Sequence, residues 1–390
     1  MIALQIIFWI SVALVLHSYI FFPSILSLLA SKRKLNWKAY QDNELPEISV
    51  LISAFNEESV IEKKIRSVIG SEYPSDKTEI LIGSDASTDE TNAIIKKLEQ
   101  KQNNLKGYFF ERRQGKPNII NQLATKAKGE ILIITDANVM LEKNTLRELV
   151  KYFKSAEIGV IDTRMINLKV KKESISEQEK FYIDREVRIK HHESVLWGCM
   201  MGPFGGCFAV RKTCFRPVPA NYLVDDFYIS MSVLDQKMKC ISNLDAKVYE
   251  DVSHDISEEF RRKTRISTGN FQNLKSFSHL LIPRMNGIAF CFFSHKFLRW
   301  IVPFLAIITL SASMILGLNS AFYRVVAIIH GAIIILPLID HFLRKIKIQI
   351  IPLRFISHFI VMNLALMAGF MRFIRGVRSN VWKPTERYQK

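Results

Sequence analysis

The sequence predicts an α/β fold: a mostly parallel sheet layered with helices, carried between apolar membrane segments at both ends. Three observations predict it. Strand-like and helix-like stretches alternate from about residue 47 to residue 136. Four consecutive aliphatics, Ile131 to Ile134, make a run suited to a strand buried on both faces, as in a parallel sheet covered by helices. Met1 to Ser31 carry no charged side chain, and hydrophobic character returns from about Phe277 to the end of the 390-residue chain.

The elements follow in order. Glu47 to Ala54 reads as a strand, and Ser59 with Glu62 has the spacing of a capping box opening a helix that stops near Gly70, with Pro74 beyond. Glu79 to Ser84 is the next strand, and Ser87 with Glu90 repeats the capping spacing before the helix TNAIIKKLEQ. Gly107 to Phe110 is a short strand, Pro117 suits the first turn of a helix, and Gly129 suits its end before ILIITD. Strands alternating with helices of this length imply a doubly wound sheet.

At the N-terminus, Ala3 to Phe22 are long enough to cross a hydrocarbon core, which needs roughly 20 apolar residues. A cleaved signal peptide is the competing reading. The stretch is too long for one and lacks a basic leader. Residues 1–31 therefore read as an anchor, and Lys32, Arg33 and Lys34 directly after it place the following domain, residues 32–275, in the cytoplasm at the cell membrane. Residues 276–299 read as an interfacial amphipathic segment, 300–376 as C-terminal membrane segments and 377–390 as a basic tail. Trp300 to Tyr323 is long enough to cross, while Val325 to Ile339 and Phe355 to Met371 are shorter. Arg344, Lys345, Lys347 and Arg354 on one side of the last stretch, and the basic tail on the other, both favour the cytoplasm. Either that stretch is re-entrant or interfacial, or the charge rule fails there.

The formal net charge of +17 raises nucleic acid as a partner. Much of the excess lies beside the apolar segments, where topology and anionic lipid account for it, so no nucleic-acid partner is expected. The five cysteines show neither paired metal-binding spacing nor a disulfide-dense pattern, and read as packing residues.

In doubly wound sheets ligands bind outside the carboxyl ends of the strands. Here those ends read SAFNEE (Ser53 to Glu58), SDASTDET (Ser84 to Thr91) and TDAN (Thr135 to Asn138). Each alone is explained as well by a turn or helix cap as by a ligand. Three acidic strand ends on one edge make a rim able to bind ribose and base and to hold a divalent cation through oxygen.

SAFNEE, DASTDET, RQGKPNIINQ and TDAN, in this order and spacing, resemble the family 2 glycosyltransferases with the GT-A nucleotide-sugar fold. The resemblance continues through GPFGGCFAVRK (Gly202 to Lys212), VDDFYIS (Val224 to Ser230), RRKTRISTGN (Arg261 to Asn270) and WKPTER (Trp382 to Arg387), and covers nearly the whole chain. With its flanking apolar segments the chain is similar to the membrane synthases of cellulose, hyaluronan, poly-N-acetylglucosamine and chitin oligosaccharides.

The resemblance implies that Ala54, Glu57 and Asp85 surround a uridine, with Lys116 near the nucleotide, and that Asp136 and Asn138 place the ribose and a divalent metal, Mg or Mn. The second metal position is Asn, a neutral oxygen ligand, which weakens that site. The VDD pair suits the chemistry: inverting transfer needs a carboxylate to take the acceptor hydroxyl's proton, and a neighbouring like charge raises one pKa. By similarity Asp226 is the base and Asp225 its neighbour, with a helix N-cap as the alternative; Lys263 and Arg265 face the leaving diphosphate. Gly205 and Gly206 permit close approach near the acceptor, although a tight turn explains them nearly as well, and Arg262 belongs to the acceptor side. Ile266 stands where processive members carry Trp, and His254 is given no role.

The expectation is an inverting membrane glycosyltransferase that binds a UDP-sugar and builds a polysaccharide or oligosaccharide, with accessory or export subunits as further partners. The alternatives are transfer of a single sugar to a lipid or polyprenyl-phosphate acceptor, or an inactive nucleotide-sugar-binding subunit of a membrane complex.

Overall fold

A computed structural model of the protein describes residues 1–167, 176–250, 256–282, 286–346, 348, 350–377 and 379–380. His254, Lys347, Arg378, the WKPTER stretch and the rest of the tail beyond residue 380 lie outside the described residues. The chain divides into two compact units: Met1–Leu28, Asp255–Leu274 and Phe292–Gly376 form one, and Leu29–His254, Lys275–Cys291 and Val377–Lys390 the other.

In chain order, α1 (Ile2–Leu16) runs through a π-helical turn into α2 (Phe22–Ala30), and the sheet unit follows. It contains β1 (Ile48–Ala54), α3 (Ile61–Ile69), β2 (Thr78–Asp85), α4 (Thr91–Glu99), β3 (Leu105–Phe110), α5 (Lys116–Lys126) and β4 (Ile131–Asp136). Then come β5 (Met140–Leu141), α6 (Thr145–Val150), β6 (Ile158–Asn167), α7 (Ser176–Trp197), β7 (Cys207–Arg211), α8 (Asp225–Asp235) and β8 (Lys239–Glu250). The last elements are α9 (Ile256–Phe277), α10 (Gly287–Cys291), α11 (Leu298–Leu316), α12 (Ala321–Lys345) and α13 (Ile351–Ile374).

The sheet order is β3-β2-β1-β4-β7-β6-β8-β5. β1 to β4 are parallel, as the alternating pattern requires, and β6 pairs parallel with β8. β7 enters antiparallel between β4 and β6, and β5 lies antiparallel to β8 at the edge. Ile131 to Ile134 are fully buried, as a central strand covered on both faces should be. Register places Ser53 beside Asp136 and Ala54 beside Ser84, so the three polar strand ends lie on one edge of the sheet.

The expected capping boxes do not form. The N-cap position is Val60 for α3 and Glu90 for α4, and neither side chain makes a capping hydrogen bond. The polar residues instead zip the loops after β1 and β2 together: Asn56 N donates to Ser87 Oγ at 3.1 Å, Glu57 N to Thr91 Oγ1 at 2.8 Å, Glu58 N to Asp89 Oδ2 at 3.1 Å and Glu90 N to Glu58 Oε2 at 2.9 Å. Both loops turn through the left-handed region at non-glycine residues, Asn56 (φ 53°) and Ala86 (φ 58°), a local cost of order 1–3 kcal/mol at Ala86 that the cross-links hold in place.

The helical unit has its own order. Phe8 of α1 packs edge-on to Tyr323, His17 lies 2.9 Å from Ser294 Oγ, and Ser267 Oγ donates to the Leu366 carbonyl at 2.8 Å. Gly369 makes the last contact feasible, because a Cβ there would meet Ser267. Four helical stretches are long and apolar enough to cross a membrane: Ile2–Ala30, Gly287–Leu316, Ala321–Leu343 and Ile351–Ile374. The last two exceed their expected lengths because the helices continue through charged and polar residues at their ends.

Candidate active site

The site is built at the carboxyl edge of β1, β2 and β4 and closed by the loop before β7 and the first turn of α8. Asp85, at the end of β2, is 2% exposed. Its Oδ1 accepts from Gln114 N at 2.7 Å, and its Oδ2 from Gly115 N at 2.9 Å and Arg113 Nε at 3.1 Å. One buried carboxylate therefore shapes the loop leading into α5. The Arg113 guanidinium lies 3.3 Å from the centre of the Phe55 ring, making a flat platform beside Ala54. Gly115 has φ +83°, and a Cβ there would run into Asn380, so this turn needs glycine on both counts.

That loop delivers Lys116. Its Nζ lies 2.7 Å from Asp136 Oδ1, donates to the Gly205 carbonyl at 3.0 Å and stands 3.6 Å from Asp225 Oδ2. Burial by itself would lower this ammonium's pKa, but Asp136, Asp225 and, more weakly, Asp226 outweigh it and hold the group above its ordinary range. One cation thus joins three of the segments singled out in the sequence.

Asp225 and Asp226 open α8, where the helix N-terminus favours carboxylates. Consecutive helical positions diverge. Asp225 is 8% exposed, and its Oδ2 has no hydrogen-bond donor among the described residues, whereas Asp226 lies against the glycine loop: a Cβ on Gly205 would come within 2.5 Å of Asp226 Oδ2. The like-charge argument for the pair thus meets a competing charge, since Lys116 neutralises Asp225. Gly206 is tied to the strand edge, its carbonyl accepting from Asp136 N at 2.9 Å and Thr135 Oγ1 at 3.0 Å.

Asn138 is 4% exposed, and its Nδ2 donates to Glu250 Oε1 at 3.0 Å. Glu57 is half-buried at the turn after β1. Arg262, Lys263 and Arg265 lie on α9 in the helical unit; Arg262 Nε is 3.0 Å and Lys263 Nζ 3.3 Å from Glu259, which these two cations hold below the usual carboxylate range against the opposing effect of burial.

Two buried charge systems were not anticipated. Lys64 of α3 is fully buried, donating to Thr135 Oγ1 at 2.8 Å and the Val139 carbonyl at 2.5 Å. Burial lowers its ammonium to about 8, with Cys207 and Asp136 opposing. Asp162 of β6 accepts from Lys190 Nζ at 2.6 Å and from Phe204 N at 2.7 Å, which fixes the glycine loop from below, while Glu193 accepts from Met201 N at 2.9 Å. Burial pushes the Asp162 carboxyl up, and Lys190 opposes it. Helical spacing was the available signal for Lys64, because Ile61, Ile65 and Val68 share its face.

Among the described residues no three His, Cys, Asp or Glu side chains converge to hold a metal unaided. Asp136, 32% exposed, and the donor-free Asp225 Oδ2 nevertheless supply hard carboxylate oxygens, which fits a Mg- or Mn-type ion that completes its shell with substrate phosphate.

Comparison with known proteins decides the family. The model of the family described as glycosyl transferase family 2 matches residues 49–212, and that of glycosyl transferase family group 2 matches residues 131–339, more than half of the chain. This chain belongs to glycosyltransferase family 2. Its relatives include the beta-monoglucosyldiacylglycerol synthase of Synechocystis, 34% identical over 124 residues, which cover 30% of this chain and 25% of that protein. Another is the dolichyl N-acetyl-alpha-D-glucosaminyl phosphate 3-beta-D-2,3-diacetamido-2,3-dideoxy-beta-D-glucuronosyltransferase of Methanococcus voltae, 34% identical over 108 residues, covering 27% of this chain and 33% of that one. The match thus spans about a quarter to a third of the length of these relatives. Among solved structures, the mannosyltransferase PcManGT of Pyrobaculum calidifontis, in complex with GDP-Man and Mn2+, superposes with a TM-score of 0.67 at 19% identity, covering 94% of this chain and 99% of its own. At that identity the likeness concerns the fold, a GT-A glycosyltransferase fold with apolar helices at both ends of the chain.

Proposed function

We propose that this family 2 enzyme is an inverting membrane glycosyltransferase that moves one sugar from a UDP-sugar to a lipid-borne acceptor hydroxyl. The observation that carries the transferase assignment is the Lys116 bridge from Asp136 to the Gly205 carbonyl and Asp225. It joins a donor edge to an acceptor loop through one cation.

On the donor side, the Arg113–Phe55 platform and the half-buried Glu57 suit a planar base and its ribose, and Asp85 sets the loop geometry beneath them. Lys116 suits the diphosphate as a charge-assisted donor, exchanging part of its contact with Asp136 for phosphate oxygen. A divalent cation bound through Asp136, with Asn138 beside it, would neutralise leaving-group charge. Asn138 can contribute only its carbonyl oxygen, because its amide nitrogen is bound to Glu250.

On the acceptor side Asp226 is the base. Its carboxylate lies against Gly205, partly exposed on the first turn of α8, where it can take the acceptor hydroxyl's proton as the sugar carbon is attacked from the face opposite the diphosphate. Asp225, held by Lys116, orients that turn.

Two features support a single addition to lipid: Ile266 replaces the aromatic residue expected of processive synthases, and the relatives include enzymes named for diacylglycerol and dolichyl acceptors. The motif order shared with polysaccharide synthases supports extension of a saccharide as the second reading. The lysine and arginine cluster after the first apolar helix supports a cytoplasmic catalytic unit at the cell membrane.

The deciding experiment screens UDP-sugars for UDP release by the purified protein in lipid and sizes the product. One added sugar in an organic-soluble product is expected. A long water-soluble chain selects the second reading, and no release with any donor removes the transferase assignment.

A further inference from the structure

We infer that Lys64 is a positioning residue of the donor site, holding in one conformation both the turn that carries Asp136 and Asn138 and the glycine loop that faces it. The inference presupposes that this turn binds the donor diphosphate.

Lys64 is an uneconomical core residue. Its side chain is fully buried, and its ammonium meets a neutral hydroxyl and a neutral carbonyl. Removing a charge from water without an ion-pair partner is penalised by several kcal/mol, and an apolar side chain of the same volume packs without that penalty. Stability therefore does not explain a lysine here.

Its two acceptors do. Thr135 immediately precedes the Asp136–Asn138 turn and Val139 immediately follows it, so one ammonium clasps both ends. Within the turn the Val139 N to Asp136 O bond is long, at 3.3 Å. Thr135 Oγ1 passes the constraint on by donating to the Gly206 carbonyl at 3.0 Å, and Asp136 N donates to the same oxygen at 2.9 Å. Because Gly206 follows Gly205, whose carbonyl accepts from Lys116, the clasp fixes donor edge and acceptor loop as one piece. The ammonium also feels the charge of the Asp136 carboxylate, which opposes the effect of burial on it.

The test compares Lys64→Met, which keeps length and removes the donors, with Thr135→Val, which removes the hydroxyl relay, and Asp136→Asn. Each full-length protein in lipid is titrated with UDP and Mn2+ by calorimetry, with melting temperatures measured in parallel. Lys64→Met should bind UDP about 10- to 100-fold more weakly, as loss of hydrogen bonds to a charged group implies, while its melting temperature stays level or rises. Thr135→Val should weaken binding in the same direction, and the double variant should be no weaker than Lys64→Met alone, because both act through one clasp. If Asp136→Asn loses UDP affinity while Lys64→Met stays within about twofold of the unmodified protein, well under the 1.4 kcal/mol of a tenfold change, the inference is overturned and the donor-site reading stands. It is overturned equally if Lys64→Met lowers affinity and melting temperature together while Thr135→Val leaves affinity unchanged, the pattern of a purely structural residue. If Asp136→Asn keeps full affinity, the donor-site reading fails and the inference falls with it.

Discussion

The Lys116 ammonium stands 2.7 Å from Asp136 Oδ1, at the end of a central strand, and reaches the opening turn of α8 through Asp225 Oδ2 at 3.6 Å. On the proposed reading, a sugar diphosphate entering at Asp136 would compete for the cation that also stands beside Asp225. Lys116→Met should reduce UDP affinity and turnover together, by about 10²-fold or more in kcat/KM, with Lys116→Arg recovering part because it keeps the charge but not the geometry. A variant with unchanged kcat/KM removes Lys116 from the mechanism.

Asp226→Asn keeps size and most hydrogen-bonding shape but removes the proton acceptor. Turnover should fall by about 10²–10⁴-fold with UDP affinity retained, and the same change at Asp225 should lower turnover less. If Asp225→Asn is silent in affinity yet loses all turnover while Asp226→Asn does not, the two roles exchange.

Gly205→Ala probes the close approach of the glycine loop to the proposed base, since the added methyl would sit 2.5 Å from Asp226 Oδ2. The melting temperature should change little because the loop is partly exposed, whereas turnover should drop at least about tenfold, one factor of ten for each 1.36 kcal/mol of barrier. Full turnover would mean that Asp226 works from another rotamer.

The Asn138–Glu250 contact at 3.0 Å sets the outcome of restoring a charged ligand. Asn138→Asp puts a second carboxylate against Glu250 in a buried site, so the variant should melt lower than the unmodified protein in chelator and recover when Mn2+ is added. Activity should vanish in chelator for both proteins; undiminished turnover in excess chelator would falsify metal use.

Lys64 imposes a pH dependence on stability. Its ammonium is lowered from 10.5 to about 8 in the folded protein, so between those values the unfolded chain holds a proton that the folded protein has released. Unfolding then takes up a proton, and stability from this group rises with pH across that window. Below about 8 it is charged in both states and the burial penalty is constant. Lys64→Met should therefore melt at or above the unmodified protein at neutral pH and lose that advantage as pH approaches 10.5.

Local sequence determined the layered α/β architecture and the membrane-length helices, because both are written in nearest-neighbour patterns. Ile131 to Ile134 can be buried on two faces only in a covered sheet, and a charge-free stretch such as Met1 to Ser31 admits few environments. The same patterns brought Asp85 and Asp136 to notice only together, since a single polar strand end is ordinary while three on one edge of a sheet are not, and Asp225 was singled out by the VDD motif. Tertiary structure decided what those residues touch. Ser59, Ser87 and Glu90 have capping spacing, yet Ser87 and Glu90 bond across to Asn56 and Glu58, because the register of β1 against β2 brings a better partner than their own helices offer. Asp85 holds a loop about thirty positions further along, at Gln114 and Gly115, and Asn138 is matched to Glu250 more than a hundred positions away. Buried charges were the least legible of all. Sequence pattern singled out neither Lys64 nor the Asp162–Lys190 pair, because only the packed core withholds water and obliges each ammonium and carboxylate to find its partner inside.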